Sequence, residues 1–512
     1  MNISRRWFIG GAVSFGAFQG CRFLPSALGI SGAPRLRFGV VSDIHVIAEN
    51  TDRGEQGNTR MLRRALKWFD AQGADGVIIA GDMADAGLLS QLQCVADAWN
   101  AVFPDGRSRR DGRRVEKLFC YGNHDWEGCN YRYANIFGTP SAQLVNDHIR
   151  RFGVRRAWEE VFEEEYAPIY RKTVNGYTFI GGHWDEQNGS GWSGGVDLAP
   201  FLAANRAEID PDLPFFYFQH PHPKGTCYGD WAWGHDNGAP TRALAAFSNA
   251  IAFSGHSHYS LADERSVWQG EFTSIGTGSL RYAGNPCDEF AGGYENTTGG
   301  GKVRPDADKM MEPNLTSRNP ERNGLFVTVT DEAVSVARRD FVRDCPLGPD
   351  WVMPLPTAES KPFAFAAHAR RSAAPQFPAG AQLVAKAGEA PRRRDYVGDE
   401  PKGSVPALIV TFPSAVQSPG HRVWRYEVVC EDAAGKRILT RRILSPDYHL
   451  PVSMAEKTIT LPIARADLPE NARLRLSVTP FNSLGKGGKP ITLELEKVSR
   501  ARVSSATLAC SR

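Results

Sequence analysis

Acidic, histidine and asparagine side chains recur in five short motifs along the chain. In chain order, the motifs are Asp43-Ile44-His45, Gly81-Asp82-Met83-Ala84-Asp85, Gly122-Asn123-His124-Asp125, His220 and Gly255-His256-Ser257-His258. Carboxylate, imidazole and amide groups are borderline-to-hard ligands that suit Mn, Fe or Zn ions. There are enough of them for two ions, and two neighbouring ions can clamp a phosphoryl group for in-line attack. The residue types therefore indicate metal-assisted chemistry at a phosphoryl centre.

Each motif follows a short apolar run of the kind that forms a buried strand. The runs lie at residues 36–42, 76–80, 115–121, 215–219 and 250–254. Helical patterns at residues 59–69 and 88–103 separate the first three runs. This alternation indicates an α/β sheet, in which ligands bind at the carboxyl ends of the strands. We therefore expect the motifs to meet at one rim, where Gly81, Gly122 and Gly255 permit sharp turns.

The content and order of the five motifs resemble the calcineurin-like metallophosphoesterase family over about residues 36–340. The resemblance implies an α/β fold built as a layered β-sandwich flanked by helices. It also implies a site with two metal ions, which on the residue types would be Mn, Fe or Zn. The implied substrate is a small phosphoester.

The resemblance assigns a role to each motif residue. It implies that Asp43, His45 and His258 bind one metal ion, and that Asn123, His220 and His256 bind the other. Asp82 would bridge the two ions. His124 would act as the general acid that protonates the leaving group, and Asp85 would orient its imidazole. The nucleophile would be a hydroxide that bridges the ions.

The chain has other histidines that compete with these assignments. His222 lies close to His220, and we prefer His220 because it directly ends its strand. We expect the remaining histidines to be ordinary polar residues: His148, His183, His235, His368, His421 and His449. His183 is the least secure of these, since it also follows an apolar run.

The N-terminal sequence indicates export from a bacterial cell. Ser4-Arg5-Arg6-Trp7-Phe8-Ile9 is close to a twin-arginine signal, which implies the twin-arginine export machinery as a partner. The apolar stretch that follows is too short and Gly-rich for a permanent transmembrane helix. We expect cleavage within residues 27–33 and a periplasmic or secreted protein. A lipoprotein anchor at Cys21 is less favoured, because the three preceding residues make a poor lipobox.

Length and composition indicate more than one domain in the 512 residues. We predict a signal peptide at 1–33, a catalytic domain at 34–345, a Pro/Ala-rich linker at 346–404 and a β-sandwich at 405–500. The last assignment rests on short predicted strands at 407–412, 422–431, 437–443, 457–462, 473–480 and 490–497. Residues 474–485 resemble the late strands of a fibronectin type III domain.

The net charge and the cysteine content say less about the binding partners of the protein than the motifs do. The formal net charge of +3 is too small to indicate a nucleic-acid or membrane partner, and no other run approaches a transmembrane length. Among the 9 cysteines, a Cys129–Cys227 disulfide and free buried thiols are both open. The Gly-rich insert at 276–323 carries basic residues that would contact phosphate or face solvent: Arg281, Lys302, Arg304, Lys309, Arg318 and Arg322. The sequence does not indicate an oligomeric state.

The sequence therefore predicts an exported phosphomonoesterase or phosphodiesterase with two metal ions. Two alternatives stay open: an exported nuclease on the same metal core, and a binding protein with a degenerate metal site. Purple acid phosphatases carry a tyrosine at the position of Asp85, and protein serine/threonine phosphatases carry an arginine at the position of Ala86. These two departures disfavour both subclasses.

Overall fold

The computed structural model describes most of the chain. The described residues are 32–47, 58–126, 153–185, 197–228, 234–283, 321–391, 403–416, 422–445, 448 and 458–496. Within these ranges, no helix is long and apolar enough to cross a membrane. Apart from residues 32–33, the predicted signal peptide lies outside the described residues, as does most of the predicted insert.

The region that contains the motifs alternates strands with helices. Its elements are β1 (Leu36–Val41), α1 (Asn58–Gln72), β2 (Gly76–Ala80), α2 (Leu89–Val102), β3 (Glu116–Cys120), α3 (Val154–Phe162), β4 (Ile169–Val174), β5 (Tyr177–Gly182), α4 (Leu198–Ala204), β6 (Phe215–Phe218), α5 (Ala239–Leu244), β7 (Ala250–Ser254), β8 (Val267–Gln269), β9 (Thr273–Gly276), β10 (Asn323–Val329), β11 (Ala333–Asp340), β12 (Cys345–Pro346) and β13 (Trp351–Pro354). Each predicted apolar run forms a strand, and both predicted helices are present.

The first sheet carries the first three motifs. Its strand order is β12-β11-β10-β1-β2-β3, and β13 also pairs with β11. Strands β1, β2 and β3 are parallel to one another, whereas β10 is antiparallel to β1. Val41 lies beside Ile79, and Ile79 lies beside Phe119, so the carboxyl ends of the three parallel strands are level.

The second sheet carries the last two motifs. Its strand order is β4-β5-β6-β7-β9-β8, in which β5, β6, β7 and β9 are parallel. Phe218 at the end of β6 pairs with Phe253 of β7, and Ser254 pairs with Gly276 at the end of β9. The carboxyl ends of these strands therefore also share one edge.

Apolar side chains hold the two sheets and the helices together in layers. One core, which includes Phe38, Phe216 and Phe253, fills the space between the sheets. A second core packs α1, α2 and α3 against the other face of the first sheet, and a third packs α4 and α5 against the second sheet. The predicted α/β fold, a layered β-sandwich flanked by helices, is confirmed.

The described residues of the C-terminal part form strands in two further sheets. The strands are β14 (Val384–Pro391), β15 (Ser404–Pro413), β16 (Val423–Asp432), β17 (Arg437–Leu444), β18 (Thr458–Ala464), β19 (Leu474–Asn482) and β20 (Ile491–Leu495). The sheet orders are β14-β15-β18 and β17-β16-β19-β20, and one apolar core lies between the two sheets. These sheets form the predicted all-β part, while its likeness to fibronectin type III domains stays a prediction.

The structure corrects the prediction of a loosely packed linker at 346–404. Strand β13 pairs with β11 of the first sheet, and β14 pairs with β15 over its whole length. Between them lies helix α6 (Phe365–Arg371), with His368 buried. The prolines and alanines of this segment are thus compatible with edge strands and a short helix, because edge strands tolerate a missing backbone N–H.

Candidate metal centre

The five motifs meet where the carboxyl ends of both sheets face each other. Asp43, Asp82 and Asn123 follow β1, β2 and β3, while His220 and His256 follow β6 and β7. A hydrogen bond joins the two sheets at this edge, since the backbone N–H of His256 donates to the side-chain Oδ2 of Asp43 over 3.1 Å. The structure therefore brings the predicted site residues together at one rim.

Four buried side chains form the first potential metal-binding group. They are Asp43, His45, Asp82 and His258, and their ligand atoms all lie within 4.8 Å of one another. Nε2 of His258 lies 3.1 Å from Oδ1 of Asp43 and 3.1 Å from Nε2 of His45. Nε2 of His45 in turn lies 3.5 Å from Oδ2 of Asp82.

A second group shares Asp82 with the first. It consists of Asp82, His220 and His256, all of them buried. Nε2 of His220 lies 3.1 Å from Oδ2 of Asp82 and 3.1 Å from Nδ1 of His256. Asp82 Oδ2 is thus close to a nitrogen of each group, which is the position that a bridging ligand requires.

The orientation of the donor atoms fits a metal. The Nδ1–H of His220 donates to the carbonyl oxygen of Ala80 over 2.8 Å, and this turns Nε2 towards the carboxylate of Asp82. A backbone carbonyl behind an imidazole is the usual support of a metal-binding histidine. Asn123 Oδ1 is buried and accepts no hydrogen bond from the described residues. A cation at this place would satisfy both Oδ1 of Asn123 and the carboxylate of Asp82.

The protonation states of Asp43, His45 and His256 agree with that fit. Burial opposes charge on Asp43, but His258 and His220 outweigh it and lower the pKa of the Asp43 carboxyl to about 2. Burial lowers the pKa of His45 and of His256 to about 3 each. For His220 burial acts in the same direction, yet Asp82 and Asp43 raise its pKa to about 9. Metal binding needs ionised carboxylates beside neutral imidazoles, so a metal that binds His220 would displace the proton of its Nε2 into solvent.

The backbone at the site is held in an unusual conformation. Positive φ angles occur at Asp43 (51°), His45 (48°), Asp82 (51°), His256 (71°) and His258 (57°). Non-glycine residues adopt this left-handed region rarely and at an energetic cost, and such residues concentrate at functional sites. At these positions the conformation turns the backbone away from the direction of the preceding strand, and the side chains face the shared rim.

Two motif glycines leave room for the carboxylates. A Cβ atom at Gly122 would collide with Oδ1 of Asp82, and a Cβ atom at Gly255 would collide with Oδ2 of Asp43. Any larger residue would therefore displace one of the two acidic side chains. The sequence prediction of close backbone approach at these glycines agrees with this geometry.

His124 and Asp85 lie beside the first group, but their contact differs from the predicted one. The Nδ1–H of His124 donates to the main-chain carbonyl oxygen of Asp85 over 2.9 Å, whereas the carboxylate lies 3.9 Å away. That carboxylate instead pairs with Arg281 and lies 3.3 Å from Nδ1 of His45. Asp85 therefore orients His124 through its backbone, because its side chain is drawn to Arg281 and His45.

The match of the sequence to a known family agrees with this geometry. The model of the family described as calcineurin-like phosphoesterase matches residues 36–260, a stretch that contains all five motifs. The chain contains a calcineurin-like phosphoesterase domain. No curated protein matches the chain.

Several solved structures are similar to this protein, and each of them shares 12% sequence identity with it. A dimetal phosphatase from Danio rerio covers 63% of this chain and 99% of its own length, with a TM-score of 0.34. A purple acid phosphatase from yellow lupin (Lupinus luteus) covers 62% of this chain and 54% of its own length, with a TM-score of 0.38. A predicted phosphoesterase from Streptococcus pneumoniae covers 62% of this chain and 97% of its own length, with a TM-score of 0.24.

Two supporting residues of the phosphoesterase domain were not identified from the sequence. The carboxylate of Asp125, which is fully buried, accepts hydrogen bonds from the N–H groups of Met83 (3.2 Å), Ala84 (2.7 Å) and Gly122 (2.8 Å). It thereby fixes the second motif against the third. The hydroxyl of Ser42 donates to Asp43 Oδ2 and fixes that carboxylate. Ser42 precedes the predicted ligand Asp43, and Asp125 follows the predicted general acid His124, but neither of them was assigned a role of its own from the sequence.

The competing histidines lie outside the metal-binding groups. Both ring nitrogens of His222 are hydrogen-bonded, to the hydroxyls of Ser254 and Ser257, at 2.7 Å each. Nδ1 of His183 accepts from the N–H of Tyr121 over 3.1 Å. The structure thus places His220, and neither His222 nor His183, among the candidate ligands.

Some predictions lie partly outside the described residues. Cys227 is buried with a free thiol that donates to the carbonyl oxygen of Ser266, while Cys129 is not described. Of the basic residues in the insert, Arg281 and Arg322 are described. His148, His421 and His449 also lie outside the described residues, as do Cys21 and the predicted export signal.

Proposed function

We propose that this protein is a metal-dependent phosphoester hydrolase that binds two metal ions and acts on phosphomonoesters or phosphodiesters. The observation that carries the proposal is the carboxylate of Asp82, which is shared by two buried groups of ligands. His45 and His220 approach the same oxygen atom of Asp82, at 3.5 and 3.1 Å. One such carboxylate can serve two ions, and two neighbouring ions can clamp a phosphoryl group for in-line attack.

The residues of each group define what each ion would contact. Asp43, His45 and His258 would hold one ion, whereas Asn123, His220 and His256 would hold the other, with Asp82 between them. When bound, two ions of the Mn, Fe or Zn type supply positive charge that polarises a phosphoryl group and activates water. The protein supplies a fixed, buried arrangement of donors, so little reorganisation is needed when the ions bind.

His124 is suited to the role of general acid. Its Nδ1–H donates to the carbonyl oxygen of Asp85 over 2.9 Å, which holds the imidazole beside the first metal-binding group. The side chain of His124 is 25% exposed, in contrast to the buried ligands beside it. As an imidazolium, it can therefore meet a leaving-group oxygen at the edge of the site and donate its second proton to that oxygen.

The N-terminal sequence supports a location of the reaction outside the cytoplasm. The proposal includes export by the twin-arginine machinery and an action in the periplasm or outside the cell. Arg5 and Arg6 with their short apolar stretch support it. Export of a folded protein also suits an enzyme that takes up its metals in the cytoplasm.

A substrate panel tests this function. The purified protein would be stripped with a chelator, reloaded with Mn, Fe or Zn, and assayed on phosphomonoesters, phosphodiesters and nucleic acids. We expect no activity after stripping and recovery on small phosphoesters with at least one metal. Activity on nucleic acids alone would favour the nuclease alternative. If the loaded protein hydrolyses none of these substrates, the proposal is wrong.

A further inference from the structure

The segment that follows β9 runs along the rim of the candidate metal centre. It is fixed by main-chain contacts, since the N–H of Leu280 donates to the carbonyl oxygen of Ser42 over 3.1 Å. The hydroxyl of Ser279 donates to the carbonyl oxygen of Asp43 over 3.2 Å, and it accepts from the N–H of Arg281 over 3.0 Å. The next side chains along the segment, Arg281 and Tyr282, are therefore held beside the predicted ligands.

Arg281 reaches the site through Asp85. Its Nη1 donates to Oδ1 of Asp85, an oxygen that lies 3.3 Å from Nδ1 of His45 and 3.9 Å from Nδ1 of His124. The guanidinium thus adjoins both a predicted ligand and the predicted general acid. A guanidinium has five N–H donors, so one contact to Asp85 leaves donors for another anion.

Exposure distinguishes Arg281 from the ligands. Its side chain is 21% exposed and that of His124 is 25% exposed, whereas the side chain of Asp85 between them is 2% exposed. A molecule that approaches the buried metal-binding groups from this side meets Arg281 and His124 first. Tyr282 borders the same segment, with its ring centroid 4.4 Å from that of His258.

We propose that Arg281 binds the phosphoryl group of the substrate and gives the site a preference for phosphomonoesters. This inference rests on the proposed function. A phosphomonoester carries two negative charges above neutral pH, whereas a phosphodiester carries one. A planar guanidinium matches the geometry of phosphate oxygens, so it interacts most strongly with the ligand that has the greater charge and more free oxygens. Asp85 holds the guanidinium in place before the substrate arrives.

Substitution of Arg281 tests the inference by binding as well as by turnover. The metal-loaded enzyme, Arg281→Met and Arg281→Lys would be titrated with inorganic phosphate and with dimethyl phosphate by calorimetry. We expect Arg281→Met to weaken phosphate binding by about 10- to 100-fold, the range of a charge-assisted hydrogen bond. Dimethyl phosphate should be affected much less. The phosphate affinity of Arg281→Lys should be intermediate, because lysine keeps the positive charge but lacks the planar, bidentate donors of the guanidinium.

Turnover on paired substrates should follow the same pattern. We expect kcat/KM for nitrophenyl phosphate to fall by about 10- to 100-fold in Arg281→Met, with a much smaller fall for bis(nitrophenyl) phosphate. Bound metal, measured by elemental analysis, should not change. Arg35→Met is the matched control, because Arg35 also pairs with an aspartate, Asp331, but lies at the amino end of β1. It should leave both binding and turnover unchanged.

The outcomes separate this inference from the proposed function. If the enzyme hydrolyses phosphoesters but Arg281→Met weakens both anions equally or not at all, the inference is wrong and the function stands. If the enzyme hydrolyses neither ester yet loses phosphate affinity in Arg281→Met, the function is wrong and the binding role of Arg281 stands. An equal effect in Arg35→Met would contradict a specific role of Arg281.

Discussion

His124 illustrates how the backbone, rather than a neighbouring side chain, can orient the imidazole of a proposed general acid. Its Nδ1–H is held by the carbonyl oxygen of Asp85. The residue type at position 85 is therefore not what fixes the imidazole. It matters instead for Arg281 and His45, which its carboxylate contacts. The roles of the two residues can thus be separated by substitution.

Loss of His124 should slow the enzyme most when the leaving group needs a proton. General acid catalysis contributes about 10²- to 10⁴-fold, and a nitrophenolate leaves without that help. We expect His124→Ala to lose rate in this range on alkyl phosphoesters and much less on nitrophenyl esters, with bound metal nearly unchanged. Equal losses on both substrate types would show that His124 positions phosphate, and loss of metal would make it a ligand.

Asp85→Asn provides the companion test at the same place. The carbonyl oxygen that accepts from His124 remains in this variant, so we expect the dependence on the leaving group to match that of the unsubstituted enzyme. Phosphate affinity should fall, because Arg281 loses its anionic partner. A dependence on the leaving group like that of His124→Ala would show that the carboxylate itself orients the imidazole.

At the scale of elements, strand ends were predictable but their supporting contacts were not. Apolar runs and glycines locate the ends of β1, β2, β3, β6 and β7, and parallel strands bring such ends to one edge. The left-handed backbone of His45 and the three hydrogen bonds to Asp125 depend on distant chain segments, which a single sequence does not reveal. The position of Arg281 after β9 offered a signal, since β9 is parallel to β7.

The predicted linker shows a different limit of sequence reasoning. Strand β13 has only four residues, and it is an edge strand that pairs with β11. Its stability comes from partners such as Glu264, which accepts from Nε1 of Trp351 over 2.9 Å and pairs with Arg338 at 2.9 Å. Contacts between residues that lie so far apart in the sequence leave no local pattern. The composition of the segment alone therefore led to the prediction of a linker.

From the buried ion pair of Glu264 and Arg338, we predict a pH-dependent contribution to stability. Burial opposes the charge of Glu264, but Arg338 and His368 lower its pKa to about 2. The stabilisation is therefore present above the unfolded pKa of about 4.5 and is lost as the pH falls towards 2. We expect Glu264→Gln to reduce the free energy of unfolding by about 3–5 kcal/mol at pH 7, because Arg338 stays buried without its partner.

Urea unfolding at two pH values checks this prediction. The difference between Glu264→Gln and the unsubstituted protein should shrink at pH 3, where protonation begins to remove the charge of Glu264 as well. Glu160→Gln is the matched control, since Glu160 is exposed and pairs only with Arg156 on α3. It should change stability by less than about 1 kcal/mol. A difference for Glu264→Gln that does not depend on pH would contradict the assigned ion pair.

At the scale of the whole molecule, the C-terminal sheets pack against the phosphoesterase domain. Nη2 of Arg422 donates to the carbonyl oxygen of Leu347 over 2.7 Å, and the guanidinium of Arg265 lies 4.2 Å from the ring centroid of Trp424. Arg422 and Trp424 are both buried. These contacts indicate a structural role for the C-terminal sheets.

Export is the second property of the whole molecule that can be tested. Replacement of Arg5 and Arg6 by lysine should leave the precursor in the cytoplasm, because the export machinery reads the arginine pair. Cell fractionation followed by immunoblotting measures this directly. Appearance of the mature protein outside the cytoplasm at the usual level would contradict the twin-arginine signal.

The most direct test of the two-metal centre is the metal content of Asp82→Asn. Asp82 is the residue that both buried groups share, so its loss should weaken both ions at once. The control is Asp70→Asn, because Asp70 is also buried but lies in the last turn of α1, where it pairs with Arg113. Elemental analysis should find two equivalents of metal in the unsubstituted protein and in Asp70→Asn, and fewer than two in Asp82→Asn, with turnover nearly abolished. Two equivalents of metal and normal turnover in Asp82→Asn would contradict the account.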